Sequence, residues 1–326
     1  MTLYSGISGQ RIQALATDPT DIVEGQIWYN STSKTLKGFA FEVGTGTWAA
    51  GGNLGTARQG LAGAGIQTAG LAFGGLDGSN FPTGATEEYN GTSWTAGGSL
   101  GTARLLLGGA GTQTAGLGFG GFSTGSATEE YDGTSWAAGG SLSCARYAIG
   151  NAGTQTAGLG FGGYNSTNSG TTTTEEYNGA SWAAGGNLNV CNCCSAGTGT
   201  QTAGLAIGGR GGGSNETEEY NGTSWTVGGN LTTTRWALGA SGTQTAGLAF
   251  GGFEFGPFFQ TDVTEEYNGT SWTSGGSLST SRYELGGAGT QSAGLAFGGY
   301  RTVLTDSTEE YTRAADGVVT KTITIS

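Results

Sequence analysis

Thr86-Glu87-Glu88-Tyr89-Asn90-Gly91-Thr92-Ser93-Trp94 is followed, 26 positions after its tryptophan, by the pair Gly120-Gly121. The same 26-residue step recurs as Trp48/Gly74, Trp94/Gly120, Trp136/Gly162, Trp182/Gly208, Trp225/Gly251 and Trp272/Gly298. A fixed internal period marks a repeat architecture whose stacked units share one continuous core. Within a unit, Asn-Gly (Asp132-Gly133 in one copy) separates two strand-like segments. That dipeptide signals a hairpin, through a type I′ turn with positive φ at both positions. The small apolar stretch 115–119 supplies another strand, and a fourth lies between Arg104 and the Gly-Thr-Gln turn. Four antiparallel strands every 42 to 47 residues describe a propeller blade, so the chain is predicted to be all-β with six blades.

Strand counting also predicts how the ring closes. The last unit stops at Tyr311 with no Asn-Gly-Thr-Ser-Trp after it, and Gly46-Thr47-Trp48 is an orphan fourth strand. Pairing the two removes the open sheet edges that invite aggregation. The predicted organisation is a segment 1–43 with a β-hairpin, a propeller 44–312 and a C-terminal strand 313–326. A seventh blade built from 26–43 and 317–326 ranks second. The unit resembles the kelch repeat, in which a double glycine closes the second strand, a Tyr lies in the third, a Trp in the fourth and an Arg leads into the next blade. Gly120-Gly121, Tyr131, Trp136 and Arg146 occupy those places here, and the pattern covers roughly 45–311. The resemblance implies fold far more than function. The high glycine content and the near-identity of the units depart from the family.

Composition narrows the function classes. Sixty-nine glycines among 326 residues, without a Gly-X-Y triplet, are not collagen. Eight Trp, 12 Tyr and 13 Phe provide too much bulky apolar surface for plain disorder. The net charge of −12 argues against nucleic acid as a partner. No run of 18 apolar residues exists to insert into a membrane, and no secretory signal is visible. There is no histidine, which removes His-dependent triads and His-bound metals. Adjacent strand residues point to opposite faces, so the Glu-Glu pairs do not flank one glycosidic bond. The expectation is a non-enzyme without cofactors or metals.

The Tyr-to-Trp and Trp-to-Gly-Gly intervals are constant, and all length variation falls between Gly-Gly and Glu-Glu-Tyr. Those loops, including 76–85, 164–173 and 253–263, share a face with the connections carrying Arg58, Arg104, Arg146, Arg235 and Arg282. Insertions confined to one face mark a binding face. The loop 253–259 has four Phe in seven residues, which form an exposed patch or fold back over the blade. Phe253, Phe255, Phe258, Phe259, Phe81 and Tyr164 are the candidate ligand-binding residues. The arginines form either a basic collar for an anion or, the favoured reading, ion pairs with Glu87, Glu129, Glu175, Glu265 and Glu309. In the fourth unit the arginine position is Asn192. Cys191, Cys193 and Cys194 fall by register on the innermost strand, as small buried thiols rather than zinc ligands; a link from Cys144 to them is the alternative. The repeated Trp and Tyr read as packing between blades.

Residues 24–38 read as a hairpin with a Gly-x-Ile-Trp-Tyr-Asn…Leu-Lys pattern. This resembles a hairpin of bacteriophage tail and fibre proteins, especially marine ones. The resemblance implies a virion component, assembled in the host cytoplasm, with residues 1–43 binding other virion proteins or forming a homo-oligomer. The expected function is host-surface recognition of a glycan or protein by a tail-fibre-like appendage. The alternatives are a capsid or tail decoration protein and a polysaccharide-degrading tail protein using Glu254, Asp262 or Glu284.

Overall fold

The computed structural model describes residues 12–21, 25–42, 44–122, 125–211, 215–256 and 259–323, and every regular element among them is a β-strand. The chain divides into two compact units, Gly46–Arg313 and a second that joins Met1–Thr45 to Ala314–Ser326. The C-terminal strand Gly317–Ile323 pairs with Thr35–Glu42 of the N-terminal segment.

In the larger unit the described residues form six four-stranded antiparallel sheets. One sheet runs Gly108–Thr112, Ala115–Phe119, Thr128–Tyr131 and Trp136–Ala138, with Leu117 opposite Ala110 on one side and Glu130 on the other. Its first turn depends on Gly111, whose φ is +100° and whose Cβ would lie 2.1 Å from the Ala115 carbonyl oxygen. The sixth sheet completes its four strands from both ends of the unit: Gly46–Ala50 pairs with Thr308–Arg313, and Trp48 stands opposite Tyr311.

The Asn-Gly turns differ from the expected two-residue type I′. Tyr89 pairs with Trp94, so four residues form the loop. Asn90 Oδ1 accepts from the Thr92 and Ser93 amides at 3.0 and 2.9 Å, and only Gly91 takes positive φ. The Thr and Ser amides after Asn-Gly give the side chain a local acceptor role, which lengthens the loop by two residues.

The repeated side chains bond each sheet to the preceding one. Tyr131 Oη donates to Glu88 Oε1 at 2.6 Å, Trp136 Nε1 to Thr86 Oγ1 at 2.9 Å, and Gln113 Nε2 to the Tyr89 carbonyl at 2.6 Å. The same three bonds recur through the sheets. They include the step from the sixth sheet to the first, where Tyr89 reaches Glu310, Trp94 reaches Thr308 and Gln67 reaches the Tyr311 carbonyl. Between these bonds lie the cores: Leu71, Phe73 and Leu100 pack with Tyr131 and Trp136, the Phe73 and Trp136 rings 4.7 Å apart. Each interface therefore mixes apolar burial with satisfied polar groups, as a buried polar atom requires.

The smaller unit carries one mixed sheet, Gln13–Leu15 parallel to Ile27–Asn30, which pairs antiparallel with Thr35–Glu42 and then Gly317–Ile323. Trp28 is buried against Phe39. Its Nε1 donates to Asp18 at 3.0 Å, and Asn30 and Lys37 bind the same carboxylate. The Lys37 and Asn30 bonds hold Asp18 down at about 2.

Candidate functional site

The arginine before each first strand closes the base of the variable loop. Arg104 is wholly buried. Its Nη1 donates to the Gly120 and Ala127 carbonyls at 3.0 and 2.8 Å, the two ends of the loop, and its Nη2 to Glu129 Oε1 at 2.8 Å. Arg58–Glu87, Arg146–Glu175, Arg235–Glu265 and Arg282–Glu309 repeat the pair at 2.7–3.0 Å. The second carboxylate oxygen of Glu129 accepts the Gly101 amide at 2.6 Å. Both charges are consumed inside one repeat, so no basic collar is left for an anion. In all five copies Nε is buried without a partner among the described residues. In the fourth repeat Asn192 Nδ2 bonds the Gly208 carbonyl at 2.6 Å, while the Asn189 amide, the Asn189 side chain and the Val190 amide supply Glu218.

Above the clamps, the residue after each arginine meets the residue after each Gly-Gly. Tyr147 pairs with Tyr164 and Trp236 with Phe253 as two-stranded ladders; Leu105–Phe122 and Tyr283–Tyr300 are single bridges. The outcome is two short rows of aromatic rings, Phe122–Tyr147 at 5.5 Å with Tyr147–Tyr164 at 5.2 Å, and Phe253–Tyr283 at 5.2 Å with Tyr283–Tyr300 at 5.7 Å. The Arg210 guanidinium sits 5.5 Å over the Trp236 ring.

Inside this rim is a ring of backbone. The Leu106 amide donates to the Gly60 carbonyl, Ala148 to Leu106, Cys194 to Ala148, Ala237 to Cys194, Glu284 to Ala237 and Gly60 back to Glu284, all at 2.7–3.0 Å. The five non-glycine members have φ between 51° and 58°. Each such residue carries roughly 1–3 kcal/mol of strain, a feature that clusters at functional sites. A cavity of about 150 Å³ opens at this ring, with Tyr147, Tyr164, Asn151, Ser195 and Glu284 in its wall. Burial raises the Glu284 carboxyl to about 7.

The candidate residues separate on the structure. Phe81 is 71 % exposed and Phe259 46 %. Phe253 is half-buried, packed on Trp236 and Tyr283. Phe255 is half-buried too, its amide bonded to the Thr234 carbonyl. Phe258 lies outside the described residues. Of the two readings of this loop, Phe253 follows the one that folds back, packed on the Trp236 ring, while Phe259 is exposed. Tyr164 joins the first aromatic row and the cavity wall. Glu254 and Asp262 do not line the cavity, in which Glu284 is the sole carboxylate.

The cysteine register is corrected. The first strand of the fourth sheet begins at Ala196, so Cys191, Cys193 and Cys194 belong to the connection before it, in step with Asn192 at the arginine position. Cys144 and Cys191 are exposed, Cys193 is buried, and all four thiols are free. Cys193 donates to the Arg210 carbonyl at 3.0 Å; hydrogen bonds with Cys194 and Tyr164 hold its thiol below the usual range. No group of three or more ionisable side chains that could hold a metal occurs among the described residues. Nor, among them, is any helix long and apolar enough to cross a membrane.

No family model matches the chain, and no curated protein matches it. The loop clamp, the Gln latch and the backbone ring were not foreseen from sequence. The invariant spacing of Gln113 before Ala115-Gly116-Leu117 and of Arg104 after Trp94 was the available signal for the first two.

Proposed function

We propose that Gly46–Arg313 is a closed, six-bladed, kelch-like β-propeller that works without enzymatic chemistry, as a host-recognition appendage of a bacteriophage particle. The bonds that return from the sixth sheet to the first support the closure. The observation that carries the functional reading is the arginine clamp. In five of the six repeats it fixes the two ends of the loop whatever lies between, 7 positions from Gly120 to Ala127 and 12 from Gly251 to Val263. Loop sequence and length therefore vary without disturbing the sheets beneath. Repeat residues are spent on latches, and variation is confined to a rim with exposed Phe81, Phe122, Phe259 and Val303. Such a scaffold suits a changeable contact surface for a host glycan or protein. Many copies on a particle multiply weak contacts into stable adsorption. In this reading residues 1–43, whose strand Thr35–Glu42 pairs with Gly317–Ile323, join the chain to other virion proteins or to its own copies.

Purified protein and a variant lacking residues 254–259 are titrated onto intact candidate host cells. Saturable binding that is lost on deletion supports host recognition through the rim. Absence of binding by either protein, with both folded and incorporated into particles, overturns it in favour of a structural decoration role.

A further inference from the structure

The six repeats are nearly identical, so places where one repeat departs from the other five are informative, and three polar departures line the ring cavity. At the left-handed ring position Glu284 stands where the other repeats have Gly60, Leu106, Ala148, Cys194 and Ala237. One position further, Ser195 replaces Leu or Ile; its Oγ is buried without a partner among the described residues. Two positions beyond that, Asn151 replaces Gly or Ala, and its Nδ2 donates to the Gly109 carbonyl at 2.5 Å, leaving Oδ1 as an acceptor. All three line the same cavity, and Glu284 is the only charged residue in its wall. Among the described residues no cation and no hydrogen-bond donor reaches its carboxylate.

A half-buried carboxylate in an otherwise uncharged wall, with no partner among the described residues, is unfavourable in a structural element, and the same position accommodates alanine in two repeats. Its placement at a left-handed backbone position (φ 52°) in the cavity wall points to a ligand.

We propose that this cavity binds a small primary ammonium ion, paired with Glu284, hydrogen-bonded by Ser195 and Asn151, with its short apolar body against the leucine and tyrosine walls. The charge follows from the single carboxylate, and the donors of a primary ammonium match the three acceptors. The size follows from the volume of about 150 Å³, comparable to a cavity that holds one benzene-sized molecule. Tyr147 and Tyr164 add aromatic surface, which favours an organic cation over water. A hard metal ion is a poor fit, since it takes about six oxygen ligands. The proposal is independent of host recognition by the loops, and either reading can fail alone.

The repeats themselves supply the test variants. Full-length protein is titrated by calorimetry and ligand-observed NMR with n-butylammonium, with n-butanol as the neutral isostere, and with calcium. Saturable binding of the ammonium alone is expected. Glu284→Gln should weaken it by roughly tenfold or more, the loss of a charge-assisted bond. Glu284→Ala places at the ring what Ala148 and Ala237 already place there, so it keeps the fold and provides a second reading if the glutamine variant does not. Ser195→Leu restores the residue type of the other repeats, fills the cavity and should also weaken binding. No saturable ammonium binding by the wild type overturns the proposal. So do undiminished binding by folded Glu284→Ala, equal binding of n-butanol, and preferential binding of calcium.

Discussion

Replacing Arg104 by Asn tests whether the arginine clamp holds the loop face together. The substitution removes bonds to the Gly120 and Ala127 carbonyls and to Glu129. Asn at position 104 can take the Gly120 carbonyl as Asn192 takes that of Gly208, and Ala127 keeps the Gly120 amide at 2.9 Å, so neither carbonyl is orphaned and the cost falls on the carboxylate. Glu129, 7 % exposed, loses its counter-charge, and breaking one side of a buried pair typically costs about 3–5 kcal/mol in total. The unpartnered Nε disappears as well, which offsets a part, so about 3–4 kcal/mol is expected. The fourth repeat shows the compensation: Asn192 is joined by Asn189, which feeds Glu218 through both its amide and its side chain. The equivalent of Asn189 is Gly101, whose amide already bonds Glu129 and whose Cβ would lie 3.0 Å from Glu129 Oε2. Gly101→Asn with Arg104→Asn should therefore recover about half of the loss. Urea unfolding followed by tryptophan fluorescence measures all three proteins. A single-variant loss under about 1 kcal/mol, or a double variant no more stable than Arg104→Asn, refutes the reasoning.

Tyr131 is pushed up to about 12, first by burial and then by its bond to Glu88. Tyr177, Tyr220 and Tyr267 sit at about 12 likewise. Their contribution is complete below the unfolded value of roughly 10 and is lost as pH rises through 12. Alkaline unfolding should then coincide with a cooperative rise in tyrosinate absorbance at these residues, and tyrosinate appearing well before unfolding would contradict it. Tyr131→Phe should remove roughly 1.5–3 kcal/mol, by urea midpoint, because it orphans a hydrogen bond to a carboxylate. Gly63→Ala would bring a Cβ to 2.4 Å from the Gly287 carbonyl oxygen and 2.7 Å from Phe297 Cζ. A loss of about 1–3 kcal/mol follows, whereas Gly78→Ala, with nothing within 4 Å, should leave the melting temperature unchanged. In thiol titration Cys144 and Cys191 should react at once, and Cys193 only after unfolding, given their exposures.

The sheets were legible because their signals are local and repeated. The strand boundaries follow small-apolar and Glu-Glu-Tyr segments, and the orphan Trp48 segment pairs with the last repeat. Where inference failed, a contact partner decided the outcome. Whether the Phe253 ring is exposed or folded back stayed open in sequence because nothing local reveals that Trp236 lies across from it. The cysteines were placed one element too far along, although Asn192 at the arginine position carried the register. The second glutamate of each pair seemed idle in sequence; it is the acceptor for a tyrosine more than 40 positions away, a distance that periodicity encodes but does not display.

The same logic separates the two kinds of residue in this chain. A residue that serves an interface recurs in every repeat, because every interface has the same geometry: Gln67, Gln113, Gln155, Gln201, Gln244 and Gln291 all bond backbone carbonyls of the preceding sheet. A residue that appears once meets a requirement that symmetry does not impose. Asn192 is such an exception with a structural answer, since Asn189 compensates for it. Glu284 and Ser195 have no compensating neighbour among the described residues, Asn151 spends only its amide nitrogen, on the Gly109 carbonyl, and all three line one cavity. Breaking the repeat three times around a single space is most simply explained by an occupant of that space, which is why the backbone ring and the variable loops should be tested as separate sites.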